Sequence, residues 1–245
     1  MDLSVKILGI VATPISGGNT QFIAEEALKA TQEGVKVETE LLNLQDYFIE
    51  PCRGCDLCMR RIHKIQKEVG LDVVPVPIKS YNCSIKDDME VIHQKLVNSD
   101  GIVVGTPVYI GSIPGQLKVF IDRCRTFVHD YRLRGKVVGC ITVAFYRSAG
   151  QDTTLNLMNL SFLALGCTIV SIGASTVSSK DGLGIPIKET RFAASLDPLG
   201  MMGVRSVGSQ VVQAAIKLKA GEQALKAAGA NFRGQASFEI PGRPH

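Results

Sequence analysis

The chain has 245 residues, of which 45% are apolar and none is tryptophan. This length and composition predict one α/β domain with a full hydrophobic core. The 27 basic and 23 acidic residues give a net charge of +4, and they are dispersed rather than gathered in a long basic run. Nucleic acid is therefore not an expected partner. No apolar run reaches the roughly 18 residues that a membrane-spanning helix needs, so no membrane association is expected.

The N-terminal segment and the cysteine content indicate the compartment. The segment MDLSVKILGIVATP has a lysine inside its apolar stretch and no basic leader, and its β-branched residues are typical of a first strand rather than a signal peptide. Seven cysteines without a secretory signal favour metal binding in a reducing environment over a disulfide framework. We therefore expect a cytoplasmic protein.

Predicted strands and helices alternate along the chain, which is the pattern of a parallel sheet covered by helices. Apolar or alternating runs predict five strands, at 5–11, 35–41, 101–106, 136–143 and 167–172. Helical periodicity predicts helices directly after residues 13–20, at 60–69, from Asp87, from Pro114, at 152–165 and at 204–228. Asp87, with Glu90 three residues later, predicts a capping box. The expected fold is a three-layer, doubly wound, five-stranded parallel sheet.

Two segments do not fit this alternation. Residues 59–82 look like an insertion that begins with a basic amphipathic helix. Residues 173–203 show little periodicity, and a connection of that length is usually functional or a partner contact. The predicted organisation is one domain over 1–230 that contains a cysteine-rich segment at 51–86, followed by a tail at 231–245.

The cysteine spacing is the strongest chemical signal. Cys52, Cys55 and Cys58 form the pattern C-x2-C-x2-C after the second predicted strand, and Cys83 follows beyond the insertion. Two-residue gaps can turn several thiolates toward one point, and four thiolates are what an iron–sulfur cluster needs. A structural zinc site could use the same residues, although zinc sites usually group their cysteines in two pairs. The other three cysteines fall on predicted core faces and are expected to be packing residues.

Residues 13–20 connect the first predicted strand to a helix and are rich in small polar side chains. Thr13, Ser16, Asn19 and Thr20 offer hydroxyl and amide donors, and two glycines allow backbone N–H groups to approach a ligand closely. The start of the following helix favours an anion. The segment is neither a Walker A loop nor G-x-G-x-x-G, and by itself it is more typical of a plain cap and turn.

Three unusual loops fall at the same edge of the predicted sheet. Loops 13–20, 107–113 and 144–151 follow the first, third and fourth strands. Doubly wound sheets bind their ligands outside the carboxyl ends of the strands, at the point where the strand order reverses. Considered together, the three loops favour a ligand site over a plain turn at 13–20.

Four segments resemble the NADPH-dependent FMN reductase group of flavodoxin-like proteins. They are GTPVYIGSIPGQLKVFIDR at 105–123, SGGNT at 16–20, SAGQD at 148–152 and CSIKDDM at 83–89. The cysteine triplet narrows the resemblance to the iron–sulfur flavoproteins of anaerobes. The resemblance covers about residues 4–230, and its most specific parts are the triplet and the Gly-Thr-Pro-Val-Tyr loop.

The resemblance implies that the chain binds FMN and a [4Fe–4S] cluster and passes electrons between them. The implied phosphate positions are Thr13, Ser16, Gly18, Asn19 and Thr20. The implied flavin-ring positions are Pro107, Val108, Tyr109, Ile110, Gly111, Phe145, Tyr146, Arg147, Ala149 and Gly150. The implied cluster ligands are Cys52, Cys55, Cys58 and Cys83.

The chain departs from the family pattern at two places. The fourth cysteine usually follows the third after a few residues, whereas the insertion separates Cys83 from Cys58, so the assignment of Cys83 rests on the shared Cys-x3-Asp-Asp-Met pattern. Ile15 stands where many relatives carry arginine. The phosphate charge must then be met by the helix dipole and backbone donors, or by a distant basic residue.

We expect a flavin-dependent oxidoreductase that passes electrons between NAD(P)H, or a one-electron carrier such as a ferredoxin, and a small acceptor. The resemblance also implies a homodimer or homotetramer. Two alternatives stay open: a cluster-free NAD(P)H:flavin or quinone reductase, and a non-catalytic electron carrier or zinc-stabilised interaction module. No pair of residues in the sequence forms an acid–base couple, so no catalytic residue is assigned.

Overall fold

The computed structural model of the chain describes residues 3–30, 33–68, 82–128 and 132–229. The strands are β1 (Ser4–Val11), β2 (Lys36–Asn43), β3 (Gly101–Pro107), β4 (Val137–Ala144), β5 (Thr168–Ile169) and β6 (Ala174–Val177). The helices are α1 (Asn19–Leu28), α2 (Leu57–Glu68), α3 (Met89–Asn98), α4 (Gly115–Arg123), α5 (Gln151–Ala164) and α6 (Pro198–Ala227). Short 3-10 turns lie at Leu44–Asp46, Cys124–Phe127 and Ala193–Leu196.

The strands form one parallel sheet in the order β2-β1-β3-β4-β5, and β6 also pairs with β4. This is the strand order of flavodoxin-like doubly wound domains, so the predicted fold class is confirmed. The order reverses between β1 and β3, because successive strands are added on opposite sides of β1. The crevice at the carboxyl ends of these two strands is therefore the expected ligand position.

The fifth predicted strand, 167–172, is shorter than expected, since only Thr168–Ile169 form β5. A sixth strand, β6 (Ala174–Val177), follows outside the predicted range, and both strands pair with β4. Between them, Asn159 of α5 donates a hydrogen bond to the carbonyl of Ile172 at 2.9 Å, and the Ser171 hydroxyl accepts one from the amide of Gly173 at 3.2 Å. The sheet is interrupted here because these backbone groups bond to side chains instead of to β4.

Helices cover both faces of the sheet, each over its own hydrophobic core. The apolar faces of α3, α4 and α5 pack on one side of the sheet, and those of α1 and α6 pack on the other. Strands β3 and β4 are buried along their whole length because both of their faces are covered. This is the predicted three-layer arrangement.

Helix α6 begins earlier than its periodicity predicted. The prediction placed its start near residue 204, whereas the helix begins at Pro198. The carboxylate of the buried Asp197 caps it by accepting a hydrogen bond from the amide of Gly200 at 3.1 Å, and it also accepts one from Val177 of β6 at 3.1 Å. An aspartate followed by proline is a recognised helix-start signal. The predicted loop 173–203 therefore contains β6, a 3-10 turn and the first turns of α6.

Helices α1 and α6 touch at a glycine. A Cβ atom added to Gly208 would collide with the carbonyl oxygen of Ala27 and lie 3.0 Å from its Cα. The two backbones therefore approach as closely as they do because position 208 carries no side chain. This contact holds α6 against the helix that follows loop 13–20.

Replacing Gly208 with alanine tests this contact. Although alanine favours a helix by roughly 0.5–1 kcal/mol over glycine, overpacking costs about 1–3 kcal/mol and should exceed that gain. We expect Gly208→Ala to lower the free energy of unfolding in urea. Gly221→Ala is the matched control, because it lies in the same helix with open space around it, and it should raise stability. Equal stabilisation by both substitutions would contradict the close contact.

Among the described residues, no helix is long and apolar enough to cross a membrane.

Candidate functional site

The loops that follow β1, β3, β4 and β6 meet at the carboxyl edge of the sheet. Backbone hydrogen bonds join the first residue of a loop to the neighbouring strand: Ala12 donates to the carbonyl of Gly105 in β3 at 2.9 Å, and Val108 donates to the carbonyl of Val143 in β4 at 3.0 Å. The three loops that the sequence singled out are thus neighbours, as the parallel sheet requires. The loop after β6, part of the long connection 173–203, joins them, although its place at this edge was not predicted.

The two loops proposed to hold a flavin ring are in direct contact. Tyr109 and Ser112 exchange backbone hydrogen bonds of 2.9 and 3.0 Å, which closes a tight turn with Ile110 and Gly111 at its tip. A Cβ atom on Gly150 would lie 2.5 Å from the Cα of Gly111, and Gly150 itself has a φ of 98°. Only glycine at position 150 allows this approach.

The loop after β6, residues 178–185, packs along the loop after β4. The amide of Arg147 donates to the carbonyl of Gly182 at 3.0 Å. The Ser179 hydroxyl donates to the carbonyl of Phe145 and accepts from the amide of Gly184. The guanidinium of Arg147, predicted near the flavin ring, donates through Nε to the carbonyl of Asp181 at 3.2 Å. The sequence signal was Gly182-Leu183-Gly184, which is typical of a tight turn.

Large apolar side chains at this edge are exposed to solvent. The side chain of Ile110 is fully exposed, at 102% of its reference area. The exposed apolar residues of the four loops are Ile15, Tyr109, Ile110, Phe145, Tyr146, Leu183 and Ile185. Apolar surface gathered in one place marks a ligand or partner site, whereas scattered apolar residues do not.

Backbone strain is concentrated in the same loops. Among the described residues, four that are not glycine have a positive φ. Ile110 (49°), Ser148 (54°) and Asp181 (55°) lie in the loops after β3, β4 and β6, and Asp56 (55°) lies in the cysteine loop. A β-branched residue such as isoleucine rarely adopts a positive φ. Such strain persists only where the surrounding structure imposes it, and it clusters at functional sites.

The loop 13–18 and the start of α1 carry neutral hydrogen-bond donors. Thr13 and Thr20 are buried and Ser16 is exposed. Gly18 occupies the N-cap position of α1 without a side-chain cap. The first amides of α1 are therefore available to an anion. Asn19, predicted to contact a phosphate, accepts a hydrogen bond through Oδ1 from the amide of Ala194 at 2.9 Å, which leaves its Nδ2 donor for a ligand.

The structure brings Cys83 beside the cysteine triplet despite the insertion between them. The Asn82 side chain donates to the carbonyl of Cys58 at 2.8 Å, and the Ser84 hydroxyl lies 3.6 Å from the Sγ of Cys55. Both neighbours of Cys83 thus contact the triplet. Cys52 and Cys55 are exposed, whereas Cys58 and Cys83 are half-buried.

The four thiols are a suitable donor set, but their sulfurs are not gathered on one point. In the part of the chain that the structure describes, no group of three or more Cys, His, Asp or Glu side chains has a geometry that could hold a metal ion. The amide of Leu57 and the Ser84 hydroxyl lower the pKa of Cys55. Burial raises the pKa of Cys58, and the neighbouring Cys83 raises it further. Thiolate donors suit iron–sulfur clusters and zinc rather than hard cations.

The remaining cysteines are core residues, as predicted. Cys124, Cys140 and Cys167 are buried, and burial raises the pKa of each thiol. A buried neutral thiol is neither a nucleophile nor a metal ligand. All seven cysteines are free.

A buried ion pair anchors Cys83 to the core. Both side chains, Asp87 and Arg123, are almost wholly inaccessible, and the guanidinium binds the carboxylate at 2.5 and 2.9 Å. Arg123 also donates to the carbonyl of Glu50 at 2.7 Å and approaches the Sγ of Cys83 at 3.8 Å. Burial alone would raise the pKa of Asp87, but the hydrogen bonds from Arg123 and from the amides of Glu50 and Met89 outweigh it and lower that pKa.

The ion pair corrects one prediction and adds a residue that the sequence did not indicate. Asp87 was expected to begin a helix through a capping box. It accepts a bond from the amide of Met89, where α3 begins, but its main partner is Arg123. Arg123 ends the run 105–123 that resembles the FMN reductase group, yet nothing in its local sequence separates it from a solvated helix-end arginine.

Removing Arg123 should be strongly destabilising. Arg123→Ala leaves the Asp87 carboxylate buried without its charged partner, and breaking such a pair typically costs about 3–5 kcal/mol. Lys118→Ala is the control, since Lys118 lies in the same helix and forms an exposed pair with Asp122; exposed pairs contribute at most about 1 kcal/mol. Urea denaturation of the wild type, Arg123→Ala and Lys118→Ala measures the free energy of unfolding that each substitution removes. Equal losses for the two variants would contradict a special role for the buried pair.

Known proteins resemble this chain over most of its length. The family described as NADPH-dependent FMN reductase matches residues 5–182. An iron-sulfur flavoprotein of Methanocaldococcus jannaschii is 32% identical over 85% of this chain and 96% of its own length. Another, from Archaeoglobus fulgidus, is 34% identical over 69% of this chain and 76% of its own. The solved structure of RosB, with 8-demethyl-8-formylriboflavin-5'-phosphate bound, has a TM-score of 0.62 at 15% identity, over 99% of this chain and 94% of that one.

The RosB likeness concerns the fold alone, because so few residues are identical. The family match and the two flavoproteins agree with the resemblance carried by the cysteine triplet and the Gly-Thr-Pro-Val-Tyr loop. They confirm the expectation of a flavin-dependent oxidoreductase. The chain belongs to the NADPH-dependent FMN reductase family, within its group of iron–sulfur flavoproteins.

Proposed function

We propose that this protein binds FMN at the carboxyl edge of its sheet and a [4Fe–4S] cluster at its cysteine loop. In this function it passes electrons between NAD(P)H, or a ferredoxin-like carrier, and a small acceptor. One observation carries the proposal: an exposed apolar platform lies at the same sheet edge as an uncapped helix N-terminus. A flavin mononucleotide needs both, since its ring is aromatic and its phosphate is an anion.

The loops after β3 and β4 are the proposed ring site. Tyr109, Ile110, Phe145 and Tyr146 present apolar surface there, and the strained backbone of the loops offers N–H and C=O groups close to that surface. The neighbouring residues Pro107, Val108, Gly111, Arg147, Ala149 and Gly150 complete the proposed set. Family membership supports FMN as the ligand.

The loop 13–18 and the first turn of α1 are the proposed phosphate site. Thr13, Ser16, Gly18, Asn19 and Thr20 are its proposed ligands. The absence of an acidic residue from the first turn of α1 agrees with binding of an anion there.

Four cysteines are the proposed cluster ligands. The hydrogen bonds from Asn82 and Ser84 to the triplet support Cys83 as the fourth ligand, together with the names of the related flavoproteins. The cysteine loop follows the carboxyl end of β2 and therefore lies at the same edge of the sheet as the flavin loops. When bound, FMN exchanges electrons singly or as hydride and the cluster exchanges one at a time, which would link one-electron carriers to two-electron donors.

Self-association and a cytoplasmic location are part of the proposal. The outer face of α5 carries exposed Leu157, Leu160 and Leu163, and among its described residues only Asp152 is charged. A second copy of the chain would cover this face in the proposed homodimer or homotetramer. Family membership supports NAD(P)H as one electron donor.

A cluster-free NAD(P)H:flavin or quinone reductase is the second candidate. The observation in its favour is that the described cysteine sulfurs are not gathered into a metal-binding geometry. Anaerobic addition of NADPH, NADH or reduced ferredoxin to the FMN-loaded protein identifies the donor, because only a competent donor removes the flavin absorbance. Absence of any turnover with NAD(P)H and dyes would instead indicate a non-catalytic electron carrier.

Metal analysis of cysteine variants tests the cluster. After anaerobic reconstitution we expect about four iron and four sulfide per chain, as a [4Fe–4S] cluster requires. Cys83→Ala should lose most of this iron but keep its FMN, because the cysteine and flavin sites use different residues. Cys167→Ala, a buried cysteine outside the site, is the control and should retain both. Stoichiometric zinc, or full iron in Cys83→Ala, would overturn the proposed ligand set.

A glycine substitution tests the ring site. In Gly150→Ala the new Cβ would meet Gly111 and force the two ring loops apart, so we expect affinity for both FMN and riboflavin to fall by about tenfold or more. Gly34→Ala is matched for backbone strain, since its φ is 73°, but it has open space around it. Titration of flavin fluorescence measures both. Unchanged riboflavin binding in Gly150→Ala would place the ring elsewhere.

A further inference from the structure

The proposed phosphate site lacks a charge of its own. No residue between positions 13 and 20 is ionisable, and the first turn of α1 contains no acidic side chain. A phosphate monoester carries about −1.5 to −2 charges at neutral pH. Neutral donors and a helix N-terminus can solvate that charge, but a cation brought from elsewhere would bind it much more strongly.

Arg191 lies directly on this loop although it is far away in sequence. Its Nε donates a hydrogen bond to the carbonyl of Gly17 at 3.1 Å. A Cβ atom at Gly17 would collide with Nη2 of Arg191, so the guanidinium occupies the space that a side chain would fill at that position. The absence of a side chain at Gly17 therefore gives the arginine access to the loop.

Two contacts hold the segment 191–194 in place against the start of α1, and a third orients Arg191 within the segment. The ring of Phe192 stacks on that of Phe22 with centroids 4.8 Å apart and planes at 10°. The amide of Ala194 donates to Asn19 at 2.9 Å. The guanidinium of Arg191 lies 5.5 Å from the ring centroid of Phe192. Stacking of this kind restricts the side chain and reduces the entropy lost when it binds a ligand.

No carboxylate in the described part of the chain neutralises Arg191. Of the other cations that lie on α1 or against it, Arg205 and Lys29 pair with Glu26 near the opposite, C-terminal end of the helix. Arg147 lies in the ring loops, where it bonds to the carbonyl of Asp181. The guanidinium of Arg191 thus retains its charge and has donors left over beyond its bond to Gly17.

We propose that Arg191 binds the phosphate group of FMN. This assignment rests on the proposed function and adds a residue to its phosphate site. The planar guanidinium can donate two parallel hydrogen bonds to phosphate oxygens, which neutral hydroxyl and amide donors cannot match in strength.

Comparison of FMN with riboflavin tests the assignment, because the two differ only in the phosphate. The Kd of each is measured on the full chain, freed of flavin, by quenching of flavin fluorescence. A charge-assisted hydrogen bond contributes roughly 1.5–3 kcal/mol, so Arg191→Ala should weaken FMN binding by about 10- to 100-fold and leave riboflavin binding unchanged. Arg191→Lys keeps the charge but loses the paired donors, so its affinity for FMN should lie between those of the wild type and Arg191→Ala.

Lys188→Ala is the matched control, since it removes an equal charge from an exposed position in the same segment, and it should bind FMN like the wild type. If Arg191→Ala weakened the binding of FMN and riboflavin equally, or changed neither, the role of Arg191 would be overturned. The proposal that the wild-type chain binds FMN would still stand. A wild-type chain that binds neither flavin would overturn the proposed function, and with it this assignment.

Discussion

The buried pair of Asp87 and Arg123 joins three parts of the chain that the sequence separates. Arg123 ends α4, Asp87 precedes α3, and the backbone of Glu50 leads into the cysteine triplet; all three bond to one another inside the core. A buried ion pair gains little stability over an apolar core, but its donors and acceptors must be satisfied in one arrangement. That requirement fixes Cys83, four residues before Asp87, beside the triplet.

The carboxyl edge of the sheet combines features that oppose stability. Exposed apolar side chains, left-handed backbone at Ile110, Ser148 and Asp181, and an uncapped helix all cost free energy. Two separate hydrophobic cores beneath the sheet and above it offset these costs. Binding of a flavin would cover the apolar surface and satisfy the helix amides, so the same features that destabilise this edge favour the ligand.

Part of the site could be predicted from the sequence because its signals are local. The cysteine triplet, the small polar residues of 13–20 and the loop that begins at Pro107 each follow a predicted strand, and a parallel sheet must bring their positions to one edge. The position of the loop after β6 at this edge could not be predicted, because its strand has only four residues and follows a break in the sheet. Hydrophobic periodicity predicts the start of α6 near residue 204, whereas Asp197 and Pro198 are the capping signal for its true start.

The remaining residues depend on contacts between distant segments. Arg123 and Arg191 look like ordinary surface arginines in the sequence, since a guanidinium is usually solvated and nothing near either residue indicates burial or a ligand. Ile15 leaves loop 13–20 without a charge, so the sequence predicts that neutral donors or a distant cation meet the charge of a bound phosphate. The sequence by itself determined the fold class and indicated the sheet edge and the thiol donors of the proposed site, because these follow from periodicity and spacing. The tertiary structure decided which charged side chains reach that site, because ion pairs and loop contacts form between residues whose separation along the chain carries no pattern.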